Sequence, residues 1–231
     1  MISYPVILYK AESGTFVESQ NLTSIEKAFD VYVNDNKRFT VNCSPCDIED
    51  LIIGSMAQMN IINRFSDVLS LEIEKNIVKV KTKLPISDKI DSNIQDVKFE
   101  ALKILSCVDE LLGNMSITHS KTNGVHSGVI FDGEKILVYR EDIGRHNVFD
   151  KLYGWSLRNG VDLTNKAIVY SGRCSSEMMK KAVNMKVPII AAKSVPTTLS
   201  IEIAEEKGIT LIARMRPKSF CIYTNPQRIN L

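Results

Sequence analysis

The residues best equipped for chemistry lie in one run, Glu141-Asp142-Ile143-Gly144-Arg145-His146-Asn147, continued by Val148-Phe149-Asp150-Lys151. Carboxylates, a guanidinium, an imidazole, an amide and an ammonium stand side by side there, a mixture able to bind an anion or move a proton. The run follows a strand-like segment, Ile136-Leu137-Val138-Tyr139. It precedes Val148, Leu152 and Trp155, spaced as one face of a helix. Gly144 marks a tight turn or close backbone approach between them. A helix start leaves N–H groups unpaired, and these favour an anion or polar ligand. A charged surface turn has the same spacing, so the motif alone leaves both readings open.

Five cysteines, Cys43, Cys46, Cys107, Cys174 and Cys221, are scattered through the chain. An odd, dispersed set favours reduced thiols in a cytoplasm over a disulfide framework. Cys43-Ser44-Pro45-Cys46 is the only Cys-x-x-Cys. It approaches a helix predicted over Asp47 to Met59, with Ser44 as its cap and Pro45 in its first turn. A helix start favours a thiolate, and Asp47 next door opposes it. Cys107 and Cys221 fall on apolar positions and are expected in the core. Cys174 is expected as a small buried hydrophobe, with a sulfur-carrying role as the alternative. His146 is the histidine expected to function, unless Glu141 or Asp142 merely satisfies it. His126 is expected to open a strand.

The apolar N-terminus, Met1 to Tyr9, reads as a strand, not a signal peptide. Hairpins are predicted around Asn34-Asp35-Asn36, Glu74-Lys75-Asn76 and Asp132-Gly133, the last as a type I′ turn. A helix is predicted from Val97 to Leu112, with Phe99, Leu102, Leu105 and Val108 inward and Gly113 or Asn114 ending it. Asn159-Gly160 should stop the helix that follows the polar run. The last third alternates: strand Ala167 to Tyr170, helix Ser175 to Asn184, strand Val187 to Ala192, helix Thr198 to Lys207, strand Thr210 to Ala213, and a final strand Phe220 to Tyr223. That alternation predicts an α/β fold around a mainly parallel sheet. The polar stretch Lys83 to Asp96 divides the chain into parts 1–96 and 97–231.

Sheets of this kind bind ligands beyond the carboxyl ends of their strands. Three loops leave those ends: Ser171-Gly172-Arg173, Lys193 to Thr197, and Arg214-Met215-Arg216-Pro217-Lys218-Ser219. Right-handed crossovers bring them to one edge, together with helix starts near Ser175 and Thr197 or Thr198. Guanidiniums, hydroxyls and free N–H groups there match phosphate oxygens.

The chain's 44% hydrophobic and 24% charged residues are those of an ordinary soluble protein, and its net charge of +2 gives no footprint for nucleic acid. No apolar segment reaches membrane-spanning length. Zinc deaminase chemistry needs a His-x-Glu, and none of His119, His126 and His146 supplies one. No metal site is expected.

The motifs resemble the FdhD/NarQ family, the formate dehydrogenase accessory sulfurtransferases. The resemblance rests on Glu141 to Asn147 with Asp150-Lys151, on Thr122 and His126, and on Ser171-Gly172-Arg173-Cys174-Ser175-Ser176-Glu177. Ser194 to Leu199 and Tyr223-Thr224-Asn225-Pro226-Gln227-Arg228 complete it. The first third matches more loosely: Ser44-Pro45, Leu51 and Gly54 fit, while Met59-Asn60 replace Glu-Gly. The resemblance implies a cytidine-deaminase-like three-layer α/β/α sandwich with a smaller N-terminal α+β part, usually a homodimer. It implies cytoplasmic maturation of formate dehydrogenase. Sulfur would pass from a cysteine desulfurase to a molybdenum or tungsten bis-pyranopterin guanine dinucleotide, for which GDP is a mimic. Arg214 to Ser219 align with the family's cofactor loop, and Ser171, Gly172, Arg173, Arg145 and His146 join it as expected cofactor contacts. The family's sulfur-carrying Cys-x-x-Cys lies in a loop that here is Lys83 to Asp96 and holds no cysteine. Cys43 and Cys46 are therefore the candidates for sulfur transfer. The alternative is a delivery chaperone that binds the cofactor without sulfur chemistry.

Overall fold

The computed structural model describes residues 1–84, 94–113 and 116–230. Most of the predicted 83–96 boundary, and Asn114 as a helix end, lie outside the described residues. Strands β1 (Ile2–Lys10) and β2 (Thr15–Thr23) form an antiparallel hairpin of their own. Its apolar side chains are open to solvent, Ile7 and Phe16 by more than 70%.

Next come β3 (Lys27–Val33), β4 (Asn36–Cys43), helix α1 (Ile48–Gln58), β5 (Val68–Glu74) and β6 (Ile77–Thr82). The strands make one sheet in the order β4-β3-β6-β5. Asn34 and Asp35 both take positive φ, as a two-residue primed turn requires. Alternate residues of β3 and β6 (Phe29, Val31, Val33, Val78 and Val80) meet Leu51, Ile52 and Met56 of α1 in a small core. Helix α1 starts later than expected. Its cap is Asp47, in the left-handed region and without a side-chain bond, so Ser44 and Pro45 lie before the helix.

The rest of the chain builds the larger sheet and a separate two-stranded pairing of Phe99–Glu100 with Ile229–Asn230. Strand β7 (Phe99–Glu100) leads into α2 (Ala101–Gly113), followed by α3 (Ile117–Thr122), β8 (His126–Phe131), β9 (Ile136–Asp142) and α4 (Arg145–Arg158). Then come β10 (Ala167–Tyr170), α5 (Ser176–Met185), β11 (Ile189–Ala192), α6 (Thr198–Glu206), β12 (Thr210–Arg216), β13 (Ser219–Thr224) and β14 (Ile229–Asn230). The sheet order is β13-β12-β11-β10-β8-β9. Only β10–β11 and β11–β12 pair in parallel; the other three pairings are antiparallel. The sheet is thus mixed, because hairpins at both ends flank the strand-helix-strand centre. Ile168, Tyr170, Ile190 and Ala192 face α4, α5 and α6. Their neighbours Ala167, Val169, Ile189 and Ala191 face α2. Both faces are covered, which is why these strands read as continuous apolar runs.

Two local expectations change. Phe99 is not helical: it pairs with Ile229 across β7 and β14. The helix begins two residues later and turns Ile104, Cys107, Val108 and Leu111 inward, leaving Leu102 74% exposed. The β8–β9 turn is not type I′. Asp132 Oδ1 accepts from the N–H groups of Glu134 and Lys135 at 2.8 Å each, and Gly133 takes φ +100°.

The two sheets are joined through α1 and α4, which cross at Gly54 and Gly154. A Cβ on Gly54 would overlap the carbonyl of Asp150, and one on Gly154 the carbonyl of Asp50. Only glycine allows the backbones to approach so closely.

Candidate functional site

The carboxyl ends of β10, β11 and β12 share one end of the large sheet. Because β8 runs antiparallel to β10, and β9 to β8, that end also holds the start of β8 and the finish of β9. Backbone bonds sew its loops together. Ser171 N donates to Ser127 O at 2.8 Å, Lys193 N to Tyr170 O at 3.0 Å, and Arg214 N to Ser194 O at 3.2 Å. Ser171 Oγ accepts from Ser127 N at 2.9 Å. The predicted residues Ser171, Gly172, Arg173, Lys193, Arg145 and His146 therefore do gather on one rim. Helices α5 and α6 open onto it, capped by Ser175 as expected and by Thr197, the first of the two threonines left open. Helix α4 opens there from Gly144, with no side chain capping its N–H groups.

Arg145 heads α4 beside Gly172, and its Nε is buried without a hydrogen-bond partner. His146 Nε2 lies 2.8 Å from Glu177 Oε2 at the start of α5, so Glu177 is its partner, not Glu141 or Asp142. His126 opens β8 as expected, and it sits half-buried on this rim. Burial, then Arg145, hold its imidazole below the ordinary value.

The third predicted loop is different from the first two. Strand β12 continues to Arg216 and turns back directly into β13, so this is an overhanging hairpin, not a strand-to-helix loop. Arg214, at φ 55°, opens a bulge in it. Arg214, Arg216, Pro217, Lys218 and Ser219 are exposed, whereas the side chain of Met215 is buried in the core and does not line the rim. With strands about 4.8 Å apart, roughly 19 Å separates β9 from β12 along the rim.

The opposite end carries the Cys-x-x-Cys loop, bound to the polar run by a dense network. Asp142 Oδ2 accepts from Ser44 N at 3.1 Å and from Lys151 Nζ at 2.7 Å. Its Oδ1 accepts from Gly144 N at 2.9 Å and Asn147 Nδ2 at 2.8 Å. Ser44 Oγ accepts from Ile143 N at 3.1 Å, and Asn147 Nδ2 also reaches Asn42 O at 2.8 Å. Asp142 and Lys151 are completely buried. Lys151 Nζ donates further to Glu141 O at 2.9 Å and contacts Cys46 Sγ at 3.5 Å.

The two cysteines separate sharply. Cys43 is fully buried, and burial pushes its thiol up to about 12. Cys46 is exposed; burial of its sulfur raises the thiol above its ordinary value, and Lys151 pulls it back. Cys107 is core as predicted. Cys174 is also buried, with a thiol raised to about 11 by burial, which suits its reading as a small hydrophobe. Cys221 is exposed on β13, contrary to the core expectation, because that edge strand turns it outward. All five cysteines are free. Among the described residues no group of three or more His, Cys, Asp or Glu side chains gathers to hold a metal. None of their helices is long and apolar enough to cross a membrane.

Comparison with known proteins decides the lineage. The FdhD/NarQ family model matches residues 85–230. The sulfur carrier protein FdhD of Bacillus subtilis (strain 168) is 34% identical, over 96% of this chain and 95% of its own. This chain belongs to the FdhD/NarQ family. The sulfur carrier protein FdhD of Geobacillus kaustophilus is 31% identical, over 97% of this chain and 95% of its own. A crystal structure described as that of a formate dehydrogenase accessory protein from Desulfotalea psychrophila superposes with a TM-score of 0.86. It covers 99% of both chains at 25% identity. The aligned stretch with the Bacillus member, 251 residues, exceeds this chain's 231, so that relative of the FdhD/NarQ family carries residues that are missing here.

Sequence reasoning missed Asp142, Lys151 and Asn147 as the clamp on the cysteine loop, and His126 as a rim residue. The clamp's side chains were visible in the polar run, but no pattern announces that a lysine is fully buried. The contact between Cys46 and Lys151 spans 105 positions.

Proposed function

We propose that this chain is a sulfur carrier for the maturation of formate dehydrogenase. It takes sulfur from a cysteine desulfurase as a persulfide on Cys46. It passes that sulfur to a molybdenum or tungsten bis-pyranopterin guanine dinucleotide held along the rim. One observation carries the reading: an exposed thiol is clamped to one end of a rim whose other features suit an anionic, nucleotide-tailed substrate. Arg145 with its unpartnered Nε, the N–H groups of α4 and the half-buried His126 offer donors in the middle. The exposed Arg214, Arg216 and Lys218 offer cations at the far end. Ser171, Gly172, Arg173 and His146 complete the substrate's surroundings. Cys43 is too deeply buried to take up sulfur itself. The two-sided packing of the large sheet supports the cytidine-deaminase-like architecture, and the free thiols support work in the cytoplasm; the homodimer is what membership of the family implies.

The test has two arms. Incubation with a cysteine desulfurase and cysteine, followed by mass spectrometry, is expected to find a persulfide on Cys46 and none on Cys43. Calorimetric titration with GDP is expected to show saturable binding that weakens in the Arg216→Ala, Lys218→Ala double variant. A persulfide on none of the five cysteines ends the transfer reading. Absence of GDP binding ends the substrate reading.

A second reading has its own support. The stretch Lys83 to Asp96 contains no cysteine, and relatives carry residues missing from this chain. A chaperone that binds and delivers the finished substrate would bind GDP and acquire no persulfide.

A further inference from the structure

Lys151 is a lysine with no access to water. Its ammonium has three protons to place. Asp142 Oδ2 takes one at 2.7 Å and the Glu141 carbonyl a second at 2.9 Å. The third has Cys46 Sγ at 3.5 Å. A neutral thiol is a weak acceptor, whereas a sulfur anion is a strong one. Asp142 has little freedom to take more from Lys151, since its two oxygens already accept four hydrogen bonds. The ammonium is therefore fixed in place, with one donor left for the sulfur of Cys46, an exposed residue.

We propose that Lys151 is the charge partner of Cys46, holding its sulfur as thiolate when it accepts and as perthiolate when loaded, with Asp142 as the residue that positions Lys151. The proposal rests on Cys46 being the sulfur carrier. In the loading step the Cys46 thiolate attacks the outer sulfur of a donor cysteine persulfide. A new S–S bond forms to Cys46 and the donor's S–S bond breaks, its electron pair leaving on the donor thiolate. The proton of the new perthiol passes to that thiolate. Oxidation levels balance without a further reagent, and one negative charge remains beside Lys151 throughout. Burial of the sulfur opposes ionisation of Cys46 most, and Asp47 and Asp142, which also face it, add to that. Lys151 is the counterweight to all three, and Arg140, 3.7 Å from Asp47, draws part of that aspartate's field away.

The experiment follows alkylation of the Cys46 peptide by iodoacetamide from pH 7 to 10, beside persulfide loading by a desulfurase and cysteine. In Lys151→Met the alkylation midpoint should rise by about one pH unit, slowing reaction at pH 8 about tenfold, because one unit changes the thiolate fraction tenfold. Persulfide on Cys46 should fall by a similar factor. Lys151→Arg should recover much of both. Since a buried lysine variant can fail to fold, the unaltered chain supplies an independent measure. The side-chain nitrogen resonance of Lys151 should shift with the midpoint of Cys46 ionisation and stay still in Cys46→Ser. An unmoved resonance, or an unchanged alkylation profile in a folded Lys151 variant that still loads Cys46, overturns the role of Lys151 alone. A chain that never loads Cys46 overturns the carrier reading and this role with it.

Discussion

The two ends of the rim are built on opposite terms. At the β9 end, Asp142 and Lys151 are buried and paired, and Asp142 already accepts four hydrogen bonds before any ligand arrives. At the β12 end, Arg214, Arg216 and Lys218 stand on an exposed hairpin. There Arg216 Nη1 donates to the neighbouring carbonyl of Met215. The first arrangement fixes atoms and suits a step that makes and breaks bonds. The second leaves long cationic side chains free to settle on a charged substrate and to release it. The difference teaches that one surface divides its work: rigid where a single sulfur must be placed, adaptable where affinity is wanted.

The contrast breaks most visibly through Asp142. Asp142→Ala strands a buried ammonium and removes four hydrogen bonds, so a loss of about 3–5 kcal/mol is expected, read from urea denaturation. If the loss were only that of a surface pair, the rigid end would not be rigid. The adaptable end should behave in reverse. Arg216→Ala with Lys218→Ala should leave stability within about 0.5 kcal/mol. It should weaken GDP binding by about 1.5–3 kcal/mol for each charge-assisted bond lost, and flatten its salt dependence. Calorimetry at two ionic strengths checks this.

Between the ends, His126 gives a pH signature. Its folded pKa is depressed, so its contribution to stability is present above the unfolded value near 6.5. That contribution is lost as pH falls through the folded value, because the unfolded chain then binds the proton first. Urea midpoints should drop from pH 7.5 to pH 5, and His126→Asn should reduce the drop. Cys46→Ser should be the mildest change, within about 0.5 kcal/mol, since the side chain is exposed. A large loss there would mean that the loop, and not Asp142, anchors the network.

Much of this molecule was legible in its sequence because its strands and helices obey local rules. Ser175 and Thr197 cap their helices, Gly160 and Gly208 take positive φ at helix ends, and the continuous apolar strands lie between two layers. Predictions failed where a distant partner outweighed the local pattern. Phe99 fits a helical stripe with Leu102, but Ile229 recruits it into a strand, and the helix face rotates away from Leu102. Ser44 looks like a cap, but its hydroxyl is taken by Ile143 N. The rim was legible in its loops because parallel strands must end together. The clamp was not, because nothing near Cys46 in the sequence reveals a buried ammonium drawn from another helix.

The glycine pair at the crossing of α1 and α4 gives the clamp its ruler. Helix α1 follows the loop bearing Cys46, and α4 bears Lys151 one turn before Gly154. The gap between sulfur and nitrogen is therefore gauged by the spacing of two helices, at a place where neither atom is found. A single methyl group added at Gly54 would collide with the backbone of Asp150, the residue just before Lys151, and would force the two helices apart. The clamp would then lose its gauge although no residue that meets the thiol had been changed.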